Sequence, residues 1–124
     1  MAHALNWFEI PVSDMDRAAR FYATLTGHAL KREAFGGPGD EMAVFEHGDD
    51  GVGGALMKSA QAEPAAQGTV VYLNTGPQLD AWLARVPAAG GEVVVPKTAL
   101  PPGMGFFAQL LDSEGNRVGL HQPG

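Results

Sequence analysis

Two stretches decide how this chain is read: "FEIPVSDMDRAARFYATLTGHAL", Phe8 to Leu30, and "VYLNTGPQLDAWLARVPAAGGEV", Val71 to Val93. Each runs as strand, turn, amphipathic helix, glycine and strand, so the chain repeats one supersecondary unit. Setting Gly27 on Gly90 gives an offset of 63, which also sets Phe8 on Val71, Ile10 on Leu73 and Trp7 on Val70. In the first copy Asp14 caps the helix, because its carboxylate accepts from free first-turn N–H groups. Met15, Ala18, Ala19, Tyr22 and Leu25 then recur at helical spacing and form one buried stripe. Gly27 ends that helix as a left-handed residue. In the second copy Pro77 suits the first helical position, and Leu79, Leu83 and Val86 form the matching stripe. Pro87 lacks the N–H that would bond the Leu83 carbonyl, which predicts that this helix ends or distorts near Val86, before Gly90 and Gly91.

Three strands are expected after each helix: Ala29–Phe35, Met42–His47 and Val52–Lys58, then Glu92–Lys97, Gly105–Leu111 and Arg117–His121. "GGPGDE", "GDDG", "PPGMG" and "DSEGN" separate them, with Gly51 and Gly115 suited to positive φ in the hairpins. The order is βαβββ–βαβββ, with a first module over 1–59, a linker over 60–68 and a second module over 69–124 of a single domain. At 124 residues such a chain buries roughly two-thirds of its unfolded surface, enough for a core without staples. It has no cysteine, so disulfides and thiolate-bound metals are excluded. "MAHALNWFEI" lacks the basic and apolar regions of a signal peptide, which makes the cytoplasm the default setting. No apolar run approaches the ~20 residues of a membrane span. A net charge of −6, with the basic residues scattered singly, argues against a nucleic-acid partner.

The element order, with "VSDMDRAARFY" opening one module and "LLDSEGNRVGLH" closing the other, resembles the vicinal oxygen chelate superfamily of glyoxalase I, extradiol dioxygenases and bleomycin-resistance proteins. The resemblance implies an α+β fold in which two βαβββ modules build a cupped, barrel-like mixed sheet with helices outside and the ligand inside. Its enzymes hold a divalent metal with His and Glu on four strands. Carried over residue by residue, those places are Trp7, Val70, Gly119 and, with the turn glycines aligned at an offset of 64, Ala55; the uncorrected offset gives Leu56. None of these side chains offers an oxygen or imidazole donor. The expectation is a protein without the usual metal and with no cofactor.

Alternation then selects the rest of the cup wall, since residues two apart share a face. One step beyond the metal places stand Glu9, Tyr72, His121 and Met57, or Lys58 with the other offset. Asn74, Arg117 and Gln109 share the wall, the last if Phe107, Gln109 and Leu111 point inward together. Glu9 and His121 are the candidates for proton transfer beside a carbonyl, with Tyr72 as oxyanion donor. Trp7, Asn74, Gln109, Arg117 and Met57 are the candidate ligand contacts. Tyr22 is read as core, Asn116 as a turn residue, Lys97 as a solvated loop lysine, and His3 and His47 as histidines outside the site.

Three functions compete on this reading. The chain is a metal-independent lyase or isomerase or a ligand binder; it is a sequestering protein of bleomycin-resistance type; or it keeps a metal on a shifted set of Glu9, His121 and Tyr72. A small-molecule ligand or substrate and a homodimer are expected, and no membrane.

Overall fold

Val12 and Thr75 occupy the same place in their respective copies, and their hydrogen bonds fix how the repeat is built. Val12 N–H donates to the Met57 carbonyl and Thr75 N–H to the His121 carbonyl, each at 2.9 Å. From Val12 to Thr75 is a step of 63 residues and from Met57 to His121 one of 64, so the first strands and the last strands of the copies are offset as the turn glycines require. The computed structural model describes residues 3–34 and 37–124. In the first copy, β1 (Trp7–Pro11) leads into α1 (Met15–Thr26), followed by β2 (Lys31–Glu33), β3 (Glu41–Val44) and β4 (Gly53–Lys58). The second copy supplies β5 (Tyr72–Asn74), α2 (Leu79–Ala89), β6 (Glu92–Ala99), β7 (Phe106–Leu111) and β8 (Arg117–Gln122).

Each copy folds into a mixed four-stranded sheet, ordered β1-β4-β3-β2 in one and β5-β8-β7-β6 in the other. β1 runs parallel to β4 and β5 to β8, while the hairpin neighbours are antiparallel. Parallel neighbours need a crossover, and here the helix and two strands between them provide it. Both helices contribute to one hydrophobic cluster shared by the two sheets: Ile10, Val12 and Leu56 from one, Leu73, Leu110 and Leu120 from the other, and Phe21, Leu25, Leu79 and Val86 from the helices. Each such side chain contributes about 1.5–3 kcal/mol by leaving water. The opposite faces of both sheets carry no helix and are left for a site.

α1 begins as expected, with Asp14 accepting from the Arg17 N–H at 3.0 Å, and ends on Gly27 at φ 81°. Its buried stripe also includes Phe21, at the edge of the expected set. α2 differs from the sequence reading at both ends. It starts at Leu79, two residues after Pro77, and the Leu79 N–H is satisfied by Gln122 Oε1 at 3.3 Å, a cap supplied from 43 residues away. Pro87 does not stop it. The helix continues to Ala89 because Pro87 lies in the last turn, where Gly90 at φ 106° lets the N–H groups of Gly90 and Gly91 close onto the carbonyls of Pro87 and Val86. Gly115 takes positive φ as expected, but Gly51 does not; its N–H closes a turn onto the Gly48 carbonyl at 3.0 Å.

The strands keep their expected order with shifted limits. β2 is shorter than Ala29–Phe35, and Phe35 itself lies outside the described residues. β6 is longer, running through Pro96 and Lys97 to Ala99 on the sheet's edge, where proline costs no ladder bond. Lys97 is therefore a strand residue, over the Phe106 ring at 4.5 Å and paired with Asp80 at 3.2 Å.

The closing turn of the second copy holds the start of the first helix. Glu114 Oε1 accepts from the N–H groups of Ser13 and Asp14 at 2.9 Å, and Arg17 Nε donates to Oε2 at 2.6 Å. Burial pushes the Glu114 carboxyl up, but these donors and Ser113 outweigh it and bring its pKa down to about 2. Beside it the buried Tyr22 hydroxyl donates to Asp112 at 2.6 Å, and burial together with that carboxylate raises the phenol well above its ordinary value. Asn116 donates to the Pro11 carbonyl at 2.7 Å and accepts from the Ala65 N–H at 3.0 Å, joining both copies and the linker.

Candidate functional site

Residues directly opposite one another in a ladder share a face, so the registers show which side chains stand on the uncovered side. In the first sheet Trp7 faces Gly53, Glu9 faces Ala55, and Pro11, Met57 and Met42 form a row. In the second, Tyr72, Gly119 and Gln109 form one row, Asn74, His121 and Phe107 the next, and Arg117 faces Leu111. Every candidate site residue lies on these rows. Met57, rather than Lys58, has the required parity; Lys58 turns to Glu41 on the other face, Nζ to Oε2 at 3.5 Å.

On the first wall Trp7 is 41% exposed, and its indole N–H donates to Glu9 Oε2 at 3.3 Å. Gly53 leaves room beside it: a Cβ there would stand 2.7 Å from His47 Nε2 and 3.1 Å from the Trp7 ring. The His47 imidazole is thus packed beside Trp7 on the site face, with Nδ1 at 3.0 Å from the Gly48 carbonyl. The sequence reading left His47 out, since only the register that puts a glycine opposite Trp7 reveals the space it fills. Met57 is buried among its row and supplies apolar floor.

On the second wall the Tyr72 ring lies against Gly119, where any Cβ would run into the ring. Phe107 meets Tyr72 edge-on, with ring centroids 6.3 Å apart. Gln109 Nε2 donates to the Tyr72 hydroxyl at 2.7 Å, and Arg117 Nη1 donates to Gln109 Oε1 at 3.0 Å. Asn74 is committed locally, its Oδ1 accepting from the Gly76 N–H at 2.8 Å. His121 Nε2 lies 2.9 Å from the Met104 carbonyl, which ties the last strand to the loop before β7.

The two sheets are joined through their helices and not strand to strand, and a gap remains between β1 and the second sheet. A cavity of about 160 Å³ there is lined by Glu9, Thr69, Asn116 and Arg117. A larger cleft of about 990 Å³ adjoins it, but Phe8, Phe45, Val71 and Trp82 in its lining pack against the hydrophobic cluster, so it opens on the helix side of the strands and reaches the uncovered rows at His47, Tyr72 and Asn74. The uncovered rows themselves combine the rings of Trp7, Tyr72 and Phe107 with a few polar groups, which suits a small-molecule site.

Two chemistries are poorly served. Glu9 and His121 stand on different sheets and are hydrogen-bonded elsewhere, one to Trp7 and the other to a main-chain carbonyl, so the chain does not assemble them as one acid–base pair. A chelate metal does not fit either. Trp7, Ala55, Val70 and Gly119 have no donor atoms, and the Tyr72 ring fills the space a ligand at 119 would need. The shifted set of Glu9, His121 and Tyr72 is spread over two sheets, and among the described residues no three His, Cys, Asp or Glu side chains cluster. No helix among them is long and apolar enough to cross a membrane.

Residues 4–120 match the model of the Glyoxalase/Bleomycin resistance protein/Dioxygenase superfamily. A glyoxylase-like domain-containing protein of Didymella fabae is 29% identical over 113 residues, covering 90% of this chain and 88% of that one. Among solved structures, the antibiotic binding protein TnmS3 from Streptomyces sp. CB03234 is 27% identical with a TM-score of 0.66, over 100% of this chain and 99% of its own. A fosfomycin resistance protein from Listeria monocytogenes, solved with Mn(II) and a dihydroxypropylphosphonic acid, shares the fold at TM-score 0.67 and 16% identity, over 100% and 93% of the two chains.

Proposed function

The chain belongs to the Glyoxalase/Bleomycin resistance protein/Dioxygenase superfamily, and from that premise we propose that it binds a small planar molecule on its uncovered sheet faces and does so without a metal. One observation carries the reading: aromatic rings stand where this fold's enzymes place metal ligands, Trp7 at the first place and the Tyr72 ring pressed over Gly119 at the fourth. Rings offer stacking surface and no metal donor, which favours holding a ligand over polarising one. The 27% identity to an antibiotic binding protein over the full chain supports the same direction. We place the site between copies of a homodimer.

The test uses tryptophan fluorescence. Replacing Trp82, the other tryptophan, by phenylalanine leaves Trp7 as the reporter. Naphthoate and naphthylmethylammonium, which share a ring and differ in charge, are titrated into this variant. Saturable quenching at one probe per chain with the probe recovered unchanged is the expected result, and Trp7→Ala, which removes the reporter and is read by titration calorimetry instead, weakens binding by about tenfold through lost ring contact. Conversion of a bound probe to a new product would favour the lyase or isomerase reading. Absence of quenching by either probe would sink the binding assignment.

A further inference from the structure

Gln109 is an amide between two fixed neighbours, and its orientation has a chemical consequence. A guanidinium has donors only, so the atom of Gln109 that meets Arg117 Nη1 at 3.0 Å must be its carbonyl oxygen. The amide nitrogen then points the other way, to the Tyr72 hydroxyl at 2.7 Å, and that nitrogen can only donate. The hydroxyl oxygen is thereby made an acceptor. Its own proton has no acceptor among the described residues, on a side chain that is 46% exposed at the site face.

From this relay we infer that Gln109 is a positioning residue that commits Tyr72 to donate, and that the ligand presents an accepting oxygen, a carboxylate or phenolate on a planar ring, to the Tyr72 hydroxyl. The inference rests on the proposed binding function and adds the polarity of the ligand. Ring surface comes from Tyr72 itself and from Phe107, whose edge meets it at 6.3 Å between centroids. Arg117 supplies a positive charge behind the amide, which strengthens each donor along the chain of bonds. Glu9 does the reverse on the other wall. One of its oxygens already accepts from Trp7, and a carboxylate offers no proton to an acceptor. The accepting end of a ligand therefore belongs at Tyr72 and not at Glu9.

The decisive variant is Gln109→Glu. A carboxylate at this position still satisfies Arg117, but it can only accept, so the Tyr72 proton turns inward and is lost to the ligand. The wild type is expected to bind naphthoate more tightly than naphthylmethylammonium. Gln109→Glu should weaken naphthoate by about tenfold or more, as expected for a lost hydrogen bond to a charged group. The new negative charge would also repel naphthoate, so the same substitution is repeated in Tyr72→Phe. If the relay acts through the hydroxyl, the tenfold loss collapses in that background and the two effects are strongly non-additive. Unfolding temperatures are measured for all four proteins, and the ratio of the two probe affinities is compared within each, which a general loss of fold would not shift. Preference of the wild type for the ammonium, an unchanged naphthoate affinity in Gln109→Glu, or full additivity with Tyr72→Phe would each overturn the relay while leaving the binding function standing. Failure of both probes to bind the wild type would overturn the binding function itself, and the relay with it.

Discussion

Two glycines of the last strands show how a missing side chain is used for different ends. At Gly54 the neighbour a Cβ would strike is the Phe8 ring, which packs against the hydrophobic cluster; at Gly119 it is the Tyr72 ring, on the uncovered face. Gly54→Ala should therefore overpack the interior and cost about 1–3 kcal/mol in denaturant unfolding. Gly119→Ala should leave stability within about 1 kcal/mol, because a half-exposed ring can swing aside, yet weaken probe binding because the platform has moved. The reverse order of effects would show that Tyr72 is a packing residue. At the same scale, the registers put Trp7, Glu9, Tyr72, Gln109 and Arg117 on the rows that alternation, stepped from the places the family resemblance implies, assigns them, since pleat leaves a strand residue only two directions. Nothing local announced His47, whose place depends on a glycine six residues later and on the strand beside it.

Among the elements, α1 depends on a residue almost a hundred positions away. Glu114 accepts from the N–H groups of Ser13 and of the cap residue Asp14, just ahead of the first turn, and pairs with Arg17. Its carboxyl ionises at about 2 in the folded chain against an ordinary 4.5, a lowered value that adds stability above about pH 4.5 and loses it as the pH falls toward 2. Glu114→Gln should thus lower the unfolding temperature at neutral pH, and the gap to the wild type should shrink between pH 4.5 and pH 2. A gap that stays constant over that range would show that charge at Glu114 is not what holds the helix. Sequence spacing made α1 readable from Asp14 to Gly27 because its caps are local. It misjudged α2, whose first N–H is satisfied by Gln122 and whose late proline is tolerated by Gly90, because both features come from chain that folds back from elsewhere.

For the whole molecule, surface is the informative quantity. A folded chain of 13.0 kDa exposes about 6,300 Å² if it buries surface in the usual proportion, whereas this one exposes 7198 Å². The excess is of the order one partner contributes to a stable interface. Trp7 and Tyr72, 41% and 46% exposed, lie on the faces that no helix covers. We expect sedimentation equilibrium to give twice the chain mass, with Trp7 protected from aqueous quenchers in the assembled form. A monomer, or a dimer that leaves Trp7 as accessible as free indole, would show that the sheet faces are not the shared surface.

The ring laid over Gly119 also bears on how this chain can change. A metal-binding side chain placed at that position would displace the Tyr72 ring, which now occupies the volume it needs. A ring pushed aside takes with it the hydroxyl that Gln109 and Arg117 hold in place. Because Trp7, Ala55 and Val70 also lack a metal donor, one such substitution gives up the platform without gaining a metal site, and the two chemistries are more than one mutation apart.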